Sequence, residues 1–188
     1  MKNIADLFFE ARILKEIPRS GFSFLGVGKE SVAEHVYMTT FIAFTMAQMV
    51  DGIDAEKLVS MCLVHDLCEA RTGDLNYVQK KYITAHQKKA RKDIIRNIPF
   101  GSFLDELMKE FDIGDTLEAK LARDADQLAL VIELKNLSEM GYNPPDKWMP
   151  HVVGRIKTSV GKKLADALIE REQDAWWLED YREEDGDI

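Results

Sequence analysis

The segment from Leu63 to Asp74, LVHDLCEARTGD, contains residue types that bind metals and transfer protons. His65, Asp66 and Glu69 fall within one turn of a predicted helix, and Asp74 follows it. Side chains three and four residues apart share a helix face, so these three can converge on one point. A carboxylate among apolar neighbours needs compensation, and a divalent cation bound by imidazole and carboxylate supplies it. The alternative to a metal site is a buried hydrogen bond between the His and Asp side chains. If the His-Asp dipeptide were the only evidence, this alternative would be favoured.

Two residues elsewhere in the chain favour the metal interpretation. His35 lies about one turn into a predicted helix that begins at Ser31. Asp126 lies in a long helical pattern, and its neighbours three and four residues away are mostly apolar. Asp124 instead neighbours Lys120, so we expect it to face water more readily. Asp126 is therefore the better candidate for an inward-facing carboxylate, with Asp124 as the fallback.

The elements that must position these residues are predicted to be helices throughout, because apolar residues recur at three and four and strand-like alternation is missing. The pattern predicts helices over about 3–17, 31–50, 55–70, 76–97, 102–111, 116–140 and much of 150–180. Ser31 and Glu34 form a capping-box pattern, which gives Glu34 a structural role. We predict one all-α domain of roughly six to eight helices over residues 1–180, followed by an acidic tail over 181–188.

Charge and composition limit the classes of partner. The 188 residues carry a net charge of −8, and residues 170–188 hold nine acidic side chains against two arginines. This acidic field argues against nucleic-acid binding. The longest uncharged run is too short and too polar to cross a bilayer, and no signal peptide is evident. Cys62 and Cys68, six residues apart, are expected as reduced thiols, and the protein is expected in the cytoplasm.

Some residues allow both a purely structural and a functional interpretation. Between Asp74 and Asp93 the chain has no acidic residue, and Lys81, Lys88 and Lys92 would share one face of the predicted helix over 76–97. That face is either simply solvated or steers an anionic substrate. The remaining histidines and tryptophans are assigned ordinary places: His86 and His151 at the surface or in loops, and Trp148, Trp176 and Trp177 in the core or at a subunit interface.

Four segments together resemble a known family. They are PRSGF at 18–22, ESVAEH at 30–35, HDLCEARTGD at 65–74 and DAD at 124–126, and they occur in the order seen in 5′-deoxynucleotidase-like proteins of the HD-domain metal-dependent phosphohydrolase superfamily. The His-Asp dipeptide alone is weak evidence, whereas the four segments together are specific. The resemblance covers roughly residues 5–140. It implies a single compact HD-domain helical fold and a homodimer.

The resemblance also implies roles for individual residues. His35, His65, Asp66 and Asp126 would bind one divalent metal ion, which could be Mn, Co, Fe, Ni, Zn or Mg. A separation of more than about 5 Å between Asp126 and the His65 ring would contradict this ligand set. Glu69 would hydrogen-bond the attacking water or accept its proton. Asp74 would be a second acid–base group, and the division of roles between the two acids stays open.

Substrate binding is assigned to the loop before the second helix. The resemblance implies that Arg19 contacts the phosphate or the sugar of a small-molecule nucleotide. Some bacterial relatives have a Trp directly after this Arg, where it helps to exclude a 2′-hydroxyl. This chain has Ser20 there and Phe22 two residues further on, so Phe22 is the candidate for that steric task.

The implied activity is hydrolysis of nucleoside 5′-monophosphates, in particular 2′-deoxyribonucleotides, to nucleoside and phosphate. One alternative is an HD-domain hydrolase that acts on a nucleoside polyphosphate, a signalling nucleotide or another phosphate ester. The other is a non-catalytic metal-binding helical protein.

Overall fold

The computed structural model describes the backbone of residues 1–184 and the side chains of residues 1–179. The helices in this range are α1 Lys2–Ile13, α2 Phe22–Leu25, α3 Val32–Ala47, α4 Ala55–Val64, α5 Glu69–Thr72, the 3₁₀ helix η1 Gln79–Lys81, α6 Gln87–Ile95, α7 Gly101–Ile113, α8 Leu117–Glu139, α9 Pro144–Val153, α10 Ser159–Glu170 and α11 Ala175–Glu184. No β-strand occurs among the described residues. The all-α prediction is confirmed, with more helices than the predicted six to eight.

The centre of the fold is α8, which packs against α3, α4, α7, α9 and α10. It is buried on several sides because small and apolar residues occur around most of its circumference. Leu121 and Leu128 of α8 are fully buried together with Met46 of α3 and Leu58 and Met61 of α4. Burial of each such side chain stabilises the fold by about 1.5–3 kcal/mol. This packing fixes α3, α4 and α8 relative to one another.

Side-chain caps set where the central helices begin. Ser31 and Glu34 form the predicted capping box, in which the Glu34 backbone N–H donates to Ser31 Oγ and the Ser31 N–H donates to the Glu34 carboxylate. Thr116 caps α8 and Thr158 caps α10 through bonds from backbone N–H groups. A side-chain cap contributes about 1 kcal/mol. The structural role predicted for Glu34 is confirmed, and the box holds the start of α3 one turn before His35.

The predicted helix over 55–70 is interrupted at the His-Asp pair. It ends at Val64, residues 65–68 form a turn, and α5 begins at Glu69. In this turn the N–H groups of Leu67 and Glu69 donate to carbonyls three residues earlier, which is a tighter winding than the α-helix. The spacing of apolar residues over 55–70 fits one continuous helix and therefore does not show this local change. The expectation that His65, Asp66 and Glu69 share one helical turn is therefore wrong.

The predicted basic helix over 76–97 is also wrong. The segment instead contains η1 and α6, separated by residues 82–86. Asn76 causes the early turn, because its side-chain oxygen accepts hydrogen bonds from the N–H groups of Val78 and Gln79. Lys81 is consequently on a different element from Lys88 and Lys92, so the single basic face does not form.

The C-terminal region is divided more finely than predicted. Residues 150–180 contain the end of α9, all of α10 and part of α11, with breaks after Gly154 and at Arg171. The backbone of α11 continues to Glu184, and residues 185–188 of the predicted acidic tail lie outside the described part of the chain. The division into a domain over 1–180 and a tail over 181–188 stays a prediction. None of the helices in the described range is long and apolar enough to cross a membrane.

Candidate metal centre

Side chains from three elements meet beside the core. His35 comes from α3, His65 from the turn between α4 and α5, and Asp126 from α8. One possible ligand atom from each lies within 4.8 Å of the other two. Asp66 completes the group, since its Oδ2 is 3.2 Å from His65 Nε2 and 4.0 Å from His35 Nε2. The structure thus brings together all four residues that the resemblance assigns to the metal.

The His65 ring is oriented as a ligand would be. Its Nδ1–H donates to the Cys62 carbonyl at 2.7 Å, which leaves Nε2 as the ring nitrogen that a cation could bind after displacing any proton there. Nε2 is buried, faces Asp66 and has no hydrogen-bond partner among the described residues. Histidine ligands commonly donate their second N–H to a backbone carbonyl in this way. These residues therefore fit a divalent cation with nitrogen and oxygen ligands.

His35 and Asp126 make the closest contact in the group. His35 Nε2 lies 2.8 Å from Asp126 Oδ1, and the imidazole is almost fully buried. Thr39 Oγ1, one turn further along α3, lies 3.4 Å from the same nitrogen. The other oxygen of Asp126 accepts a hydrogen bond from Gln127 Nε2 at 2.8 Å. Both oxygens of Asp126 are thereby fixed in direction.

Neighbouring charges shift the pKa values of the groups at this centre. Burial alone would raise the pKa of Asp126, but the hydrogen bond to His35 and the positive charges nearby hold it below its usual range. Burial alone would lower the pKa of His65, but the Asp66 carboxylate raises it to about 9. Asp126 is thus ionised at neutral pH, as a carboxylate ligand must be.

Glu69 and Asp74 lie on the same side of the fold as this group. Glu69, the first residue of α5, is buried, and its Oε2 has no hydrogen-bond partner among the described residues. Burial and the negative charges of Asp66 and Asp74 raise the pKa of Glu69 to about 9. Asp74 accepts a hydrogen bond from the Ser20 N–H at 2.8 Å. Asp74 therefore ties the end of the His-Asp segment to the loop that carries Arg19.

Arg19 points into the centre and not to solvent. Its Nη1 is 3.5 Å from Asp66 Oδ2, and its Nε is 3.9 Å from the Glu30 carboxylate. The Arg19 N–H also donates to the Glu30 carbonyl, which anchors the loop before α3. A half-buried guanidinium beside a candidate metal centre is suited to bind phosphate oxygens with two donors.

Phe22 contributes more to core packing than the sequence indicates. It is the first residue of α2, is 8% exposed, and belongs to a core cluster with Leu134 and Leu137 of α8. Its ring also packs against Gly28, where an added Cβ would lie 3.0 Å from the ring. Gly28 has a φ of 74°, so the tight loop and the packing both require glycine there. The small exposed part of Phe22 lines a cavity.

That cavity has a volume of about 680 Å³ and lies beside the centre. Its wall is formed by the Arg19 loop, the segment after Asp74, and α9. The lining residues are Arg19, Ser20, Gly21, Phe22, Phe24, Leu25, Asp74, Leu75, Asn76, Tyr77, Lys80, Leu130, Lys147, Trp148, His151, Val152 and Arg155. A cavity of this size with aromatic walls and a few charged groups is typical of a small-molecule site.

Sequence reasoning missed the wall that α9 contributes. The assignments of Trp148 to the core or an interface and of His151 to the surface agree with the structure, since Trp148 packs against a core cluster and His151 is exposed. Both residues also line the cavity, which the sequence did not indicate. Their signal was present in the sequence, because Lys147, His151 and Arg155 recur every four residues after the helix-starting prolines. Nothing in the sequence showed what that face would meet.

Asp124 contradicts the expectation that it faces water. It is 1% exposed, and its two oxygens accept hydrogen bonds from the backbone N–H groups of Lys157 and Thr158 at 2.8 and 2.7 Å. The N–H groups before α10 compensate the buried carboxylate, so Asp124 connects α8 to α10. The polar neighbours of Asp124 in the sequence could not reveal this packing.

Comparison with known proteins decides the family. The HD domain family matches residues 11–168, which is most of the chain. The chain belongs to the HD-domain family. Its HD domain thus includes the candidate metal centre and α9. The resemblance to HD-domain proteins found in the sequence is confirmed.

Curated relatives of this HD-domain chain carry one functional name. The 5′-deoxynucleotidase HDDC2 of Dictyostelium discoideum is 30% identical over 147 residues, covering 71% of this chain and 76% of that protein. The 5′-deoxynucleotidase hdd1 of Schizosaccharomyces pombe is 29% identical, covering 85% and 86%. Human 5′-deoxynucleotidase HDDC2 is 26% identical, covering 70% of this chain but 66% of the human protein. These relatives agree with the group within the family that the four sequence segments indicate.

Solved structures share the fold. A conserved hypothetical protein from Pyrococcus furiosus has a TM-score of 0.74 at 28% identity, covering 87% of this chain and 98% of its own. The PH0347 protein from Pyrococcus horikoshii has a TM-score of 0.72 at 25% identity, covering 88% and 98%. The helices that build the candidate centre thus belong to an arrangement that these proteins have in common.

Proposed function

We propose that this HD-domain protein is a metal-dependent phosphomonoesterase that hydrolyses nucleoside 5′-monophosphates, in particular 2′-deoxyribonucleotides, to nucleoside and phosphate. The observation that carries the proposal is the meeting of His35, His65 and Asp126, with Asp66 close to both histidines. This group lies next to a nucleotide-sized cavity, which Arg19 lines while it also contacts Asp66. The names of the relatives support the substrate class.

The four residues would hold one divalent cation, with Mn, Co, Fe, Ni, Zn and Mg as the candidates. When bound, the cation would lower the pKa of a coordinated water and neutralise charge on the phosphoryl oxygens. Arg19, held by Asp66 and Glu30, would orient the phosphate with its guanidinium donors. This orientation would align the phosphorus with the attacking water and with the departing 5′ oxygen.

Two acids beyond the ligand set would move the protons. Glu69 is buried with an unpartnered oxygen, so it can hydrogen-bond the attacking water. Its pKa is raised to about 9, so it would take the proton of that water only once a bound cation had lowered this pKa. Asp74, fixed by the Ser20 N–H, would protonate the departing sugar oxygen. The reverse division between the two acids is equally compatible with their positions. Phe22 and the other aromatic residues of the cavity would contact the nucleoside.

Two alternative functions place different demands on these residues. A non-catalytic metal protein would not need a buried, unpartnered Glu69 or an inward-pointing Arg19 beside its ligands. An HD-domain hydrolase for nucleoside polyphosphates or signalling nucleotides would use the same centre. Only the substrate specificity of the cavity would distinguish such a hydrolase from an enzyme that acts on monophosphates.

The test is phosphate release from dAMP and dCMP with each of several divalent ions. We expect release with Mn or Co. We expect His65→Ala and Asp126→Ala to lose bound metal, and Glu69→Gln to keep the metal while turnover falls by about 10²–10⁴-fold. His86→Ala removes an exposed histidine on a different element and is the matched control. It should keep both the bound metal and the turnover of the wild type. Absence of release with every ion tested would refute the proposal.

We also propose a homodimer in the cytoplasm that binds neither nucleic acid nor membranes. Tyr37, Phe41 and Phe44 are more than half exposed and stack along α3, and Leu63 lines the same groove. An aromatic stripe of this kind supports contact with a second copy. The two cysteines are buried and free, as is usual in a reducing compartment. Sedimentation of the wild type and of Phe41→Glu tests the dimer, which the variant should dissociate.

A further inference from the structure

The cavity beside the centre has more positive charge than a nucleoside monophosphate needs. Besides Arg19, its wall contains Lys80, Lys147 and Arg155. None of these three forms an ion pair with an acidic side chain in the described part of the chain. The carboxylate in the wall, Asp74, already accepts a hydrogen bond from the Ser20 backbone. The surplus charge is notable in a protein whose net charge is −8.

Two of these cations form a row with His151 along α9 and the turn that follows it. Lys147 and His151, four residues apart, lie on one face of the helix, and Arg155 follows in the turn just after α9 ends at Val153. We call these three residues the α9 row. At 1.5 Å per residue, Lys147 and His151 are about 6 Å apart along the helix axis. Trp148 lies beside it and packs against the Arg19 loop at Gly21.

One end of the α9 row is connected to the candidate metal centre. Arg155 Nη1 donates to Gln127 Oε1 at 3.5 Å, and Gln127 Nε2 donates to Asp126 Oδ2 at 2.8 Å. A single amide group thus separates the Arg155 guanidinium from a candidate ligand. Lys147 is at the far end of the row, so the positive charge extends from the centre along the path that a substrate would take through the cavity.

The position of this charge indicates what the leaving group carries. In a nucleoside 5′-monophosphate all the negative charge is on the phosphate at the metal, and the sugar and base are uncharged. Phe24, Tyr77 and Trp148 provide surfaces for an uncharged base, but the cations of the α9 row would then face neutral groups. Guanidinium and ammonium groups match phosphate oxygens far better.

We propose that the α9 row binds a second phosphate on the leaving group, so that the preferred nucleotides carry two phosphates. This inference rests on the proposed function and specifies its substrate class. Two sources share this chemistry: a nucleoside 3′,5′-bisphosphate, and a nucleoside 5′-diphosphate whose terminal phosphate reacts.

In both cases water attacks the phosphorus at the centre and the bond from that phosphorus to the leaving oxygen breaks. In the bisphosphate this bond is a phosphoester, and the 5′ oxygen takes up a proton as it leaves. In the diphosphate it is a phosphoanhydride, and the phosphate oxygen leaves as an anion. The products are inorganic phosphate with either a nucleoside 3′-phosphate or a nucleoside 5′-monophosphate. The second phosphate stays on the product and is bound by the α9 row.

The experiment compares kcat/KM for 2′-deoxyadenosine 5′-monophosphate, 3′,5′-bisphosphate and 5′-diphosphate at constant ionic strength and constant free metal concentration. We expect at least one two-phosphate substrate to exceed the monophosphate by about tenfold or more, a difference of about 1.4 kcal/mol. The more active of the two identifies the source. Lys147→Ala and Arg155→Ala should bring this ratio close to one.

The control is Lys163→Ala, which removes an equal charge from the exposed face of α10. It should leave the ratio unchanged, whereas an equal fall would mean general electrostatic attraction and would overturn the proposal. In a second measurement, for the case in which the 3′,5′-bisphosphate is the more active substrate, 2′-deoxyadenosine 3′-monophosphate should inhibit the wild type at least about tenfold more strongly than 2′-deoxyadenosine, and Lys147→Ala should remove the difference.

The result can separate this proposal from the proposed function. If the monophosphate is hydrolysed as well as or better than both two-phosphate substrates, the α9 row has no such role and the phosphomonoesterase proposal stands. If none of the three releases phosphate with any of several ions, the proposed function fails and this inference fails with it.

Discussion

Asp124 and Asp126 are two residues apart on α8, and the fold uses them differently. Asp126 lies at the candidate metal centre, where its oxygens contact His35 and Gln127. Asp124 is buried between α8 and α10, where it accepts two backbone hydrogen bonds. A change of two positions along a helix rotates a side chain by about 200°, so the two carboxylates face different neighbours.

This difference predicts separate effects on stability and metal binding. Asp124→Ala leaves the N–H groups of Lys157 and Thr158 without their acceptor and removes a buried side chain, so we expect the free energy of unfolding to fall by about 2–4 kcal/mol. Asp126→Ala should instead abolish metal binding. Urea denaturation with a chelator present, together with metal titration of the folded proteins, measures both quantities. A loss below about 1 kcal/mol in Asp124→Ala would contradict the structural role of Asp124.

At the scale of elements, the contact between α8 and α10 depends on a glycine. Gly161 lies in the first turn of α10, where its N–H donates to the Thr158 cap. A Cβ at this position would lie 2.6 Å from Asp124 Oδ2 and 2.8 Å from Ile156 Cγ2. Both distances are shorter than van der Waals contact, so the helix can approach α8 only with glycine here.

Gly161→Ala should therefore destabilise the protein, although Ala normally stabilises a helix relative to Gly by about 0.5–1 kcal/mol. We expect a loss of about 1–3 kcal/mol in the free energy of unfolding, because the Cβ pushes α10 away from Asp124. Ser159→Ala, at an exposed position in the same turn, is the control and should change stability by less than about 0.5 kcal/mol. Equal stability of Gly161→Ala and the wild type would show that α10 shifts freely.

The turn between α4 and α5 is the other element that decides the site. Its tight winding places His65 with its Nδ1 on the Cys62 carbonyl, and the chain then starts α5 with Glu69 directed inward. A continuous helix would have rotated these side chains by a different angle. The interruption is therefore part of how the fold assembles the centre.

At the scale of the whole molecule, a bound cation would link three separate elements. The candidate ligands belong to α3, to the turn before α5, and to α8, and the unfolded chain does not hold them together. Ligand binding to the folded state alone stabilises it by about 2.7 kcal/mol at a hundredfold excess over Kd.

We therefore expect Mn or Co to raise the melting temperature of the chelator-treated protein by several degrees. The increase should be absent in His65→Ala and Asp126→Ala. Calorimetry or thermal fluorescence at increasing ion concentration measures it. An equal increase in these variants would place the bound ion elsewhere.

Glu30 links the Arg19 loop to the pH dependence of folding. It is buried beside Arg19, and burial raises its pKa to about 7 despite the guanidinium. Because the folded protein binds this proton more tightly than the unfolded chain, the contribution to stability is present below about pH 4.5 and is lost as the pH rises to about 7. Between about pH 4.5 and about pH 7 we expect the free energy of unfolding of the wild type to fall by about 1–2 kcal/mol relative to that of Glu30→Gln. This figure includes an allowance for solvent screening.

Urea denaturation of both proteins at pH 4.5, 6 and 7.5 with a chelator present measures this difference. The comparison needs no further control variant, because the wild type and Glu30→Gln contain the same titrating groups at all other positions. Parallel stability curves for the two proteins would show that Glu30 has no raised pKa in the folded state.

Local patterns in the sequence determined much of this protein. The all-α class, the capping box at Ser31 and Glu34, and the candidate residues of the HD pattern depend on spacing and on chemistry between near neighbours. Such interactions are specified within a few residues of the chain, so the sequence alone reveals them.

Tertiary packing decided the rest. It determined that Asp124 is covered by α10, that the His-Asp pair lies in a turn, and that the α9 row faces the cavity. Each outcome depends on which surface of one element meets another that is distant in the chain. Periodicity shows that a helix has a face but not which partner covers it, because that choice is made by the packing free energy of the whole fold.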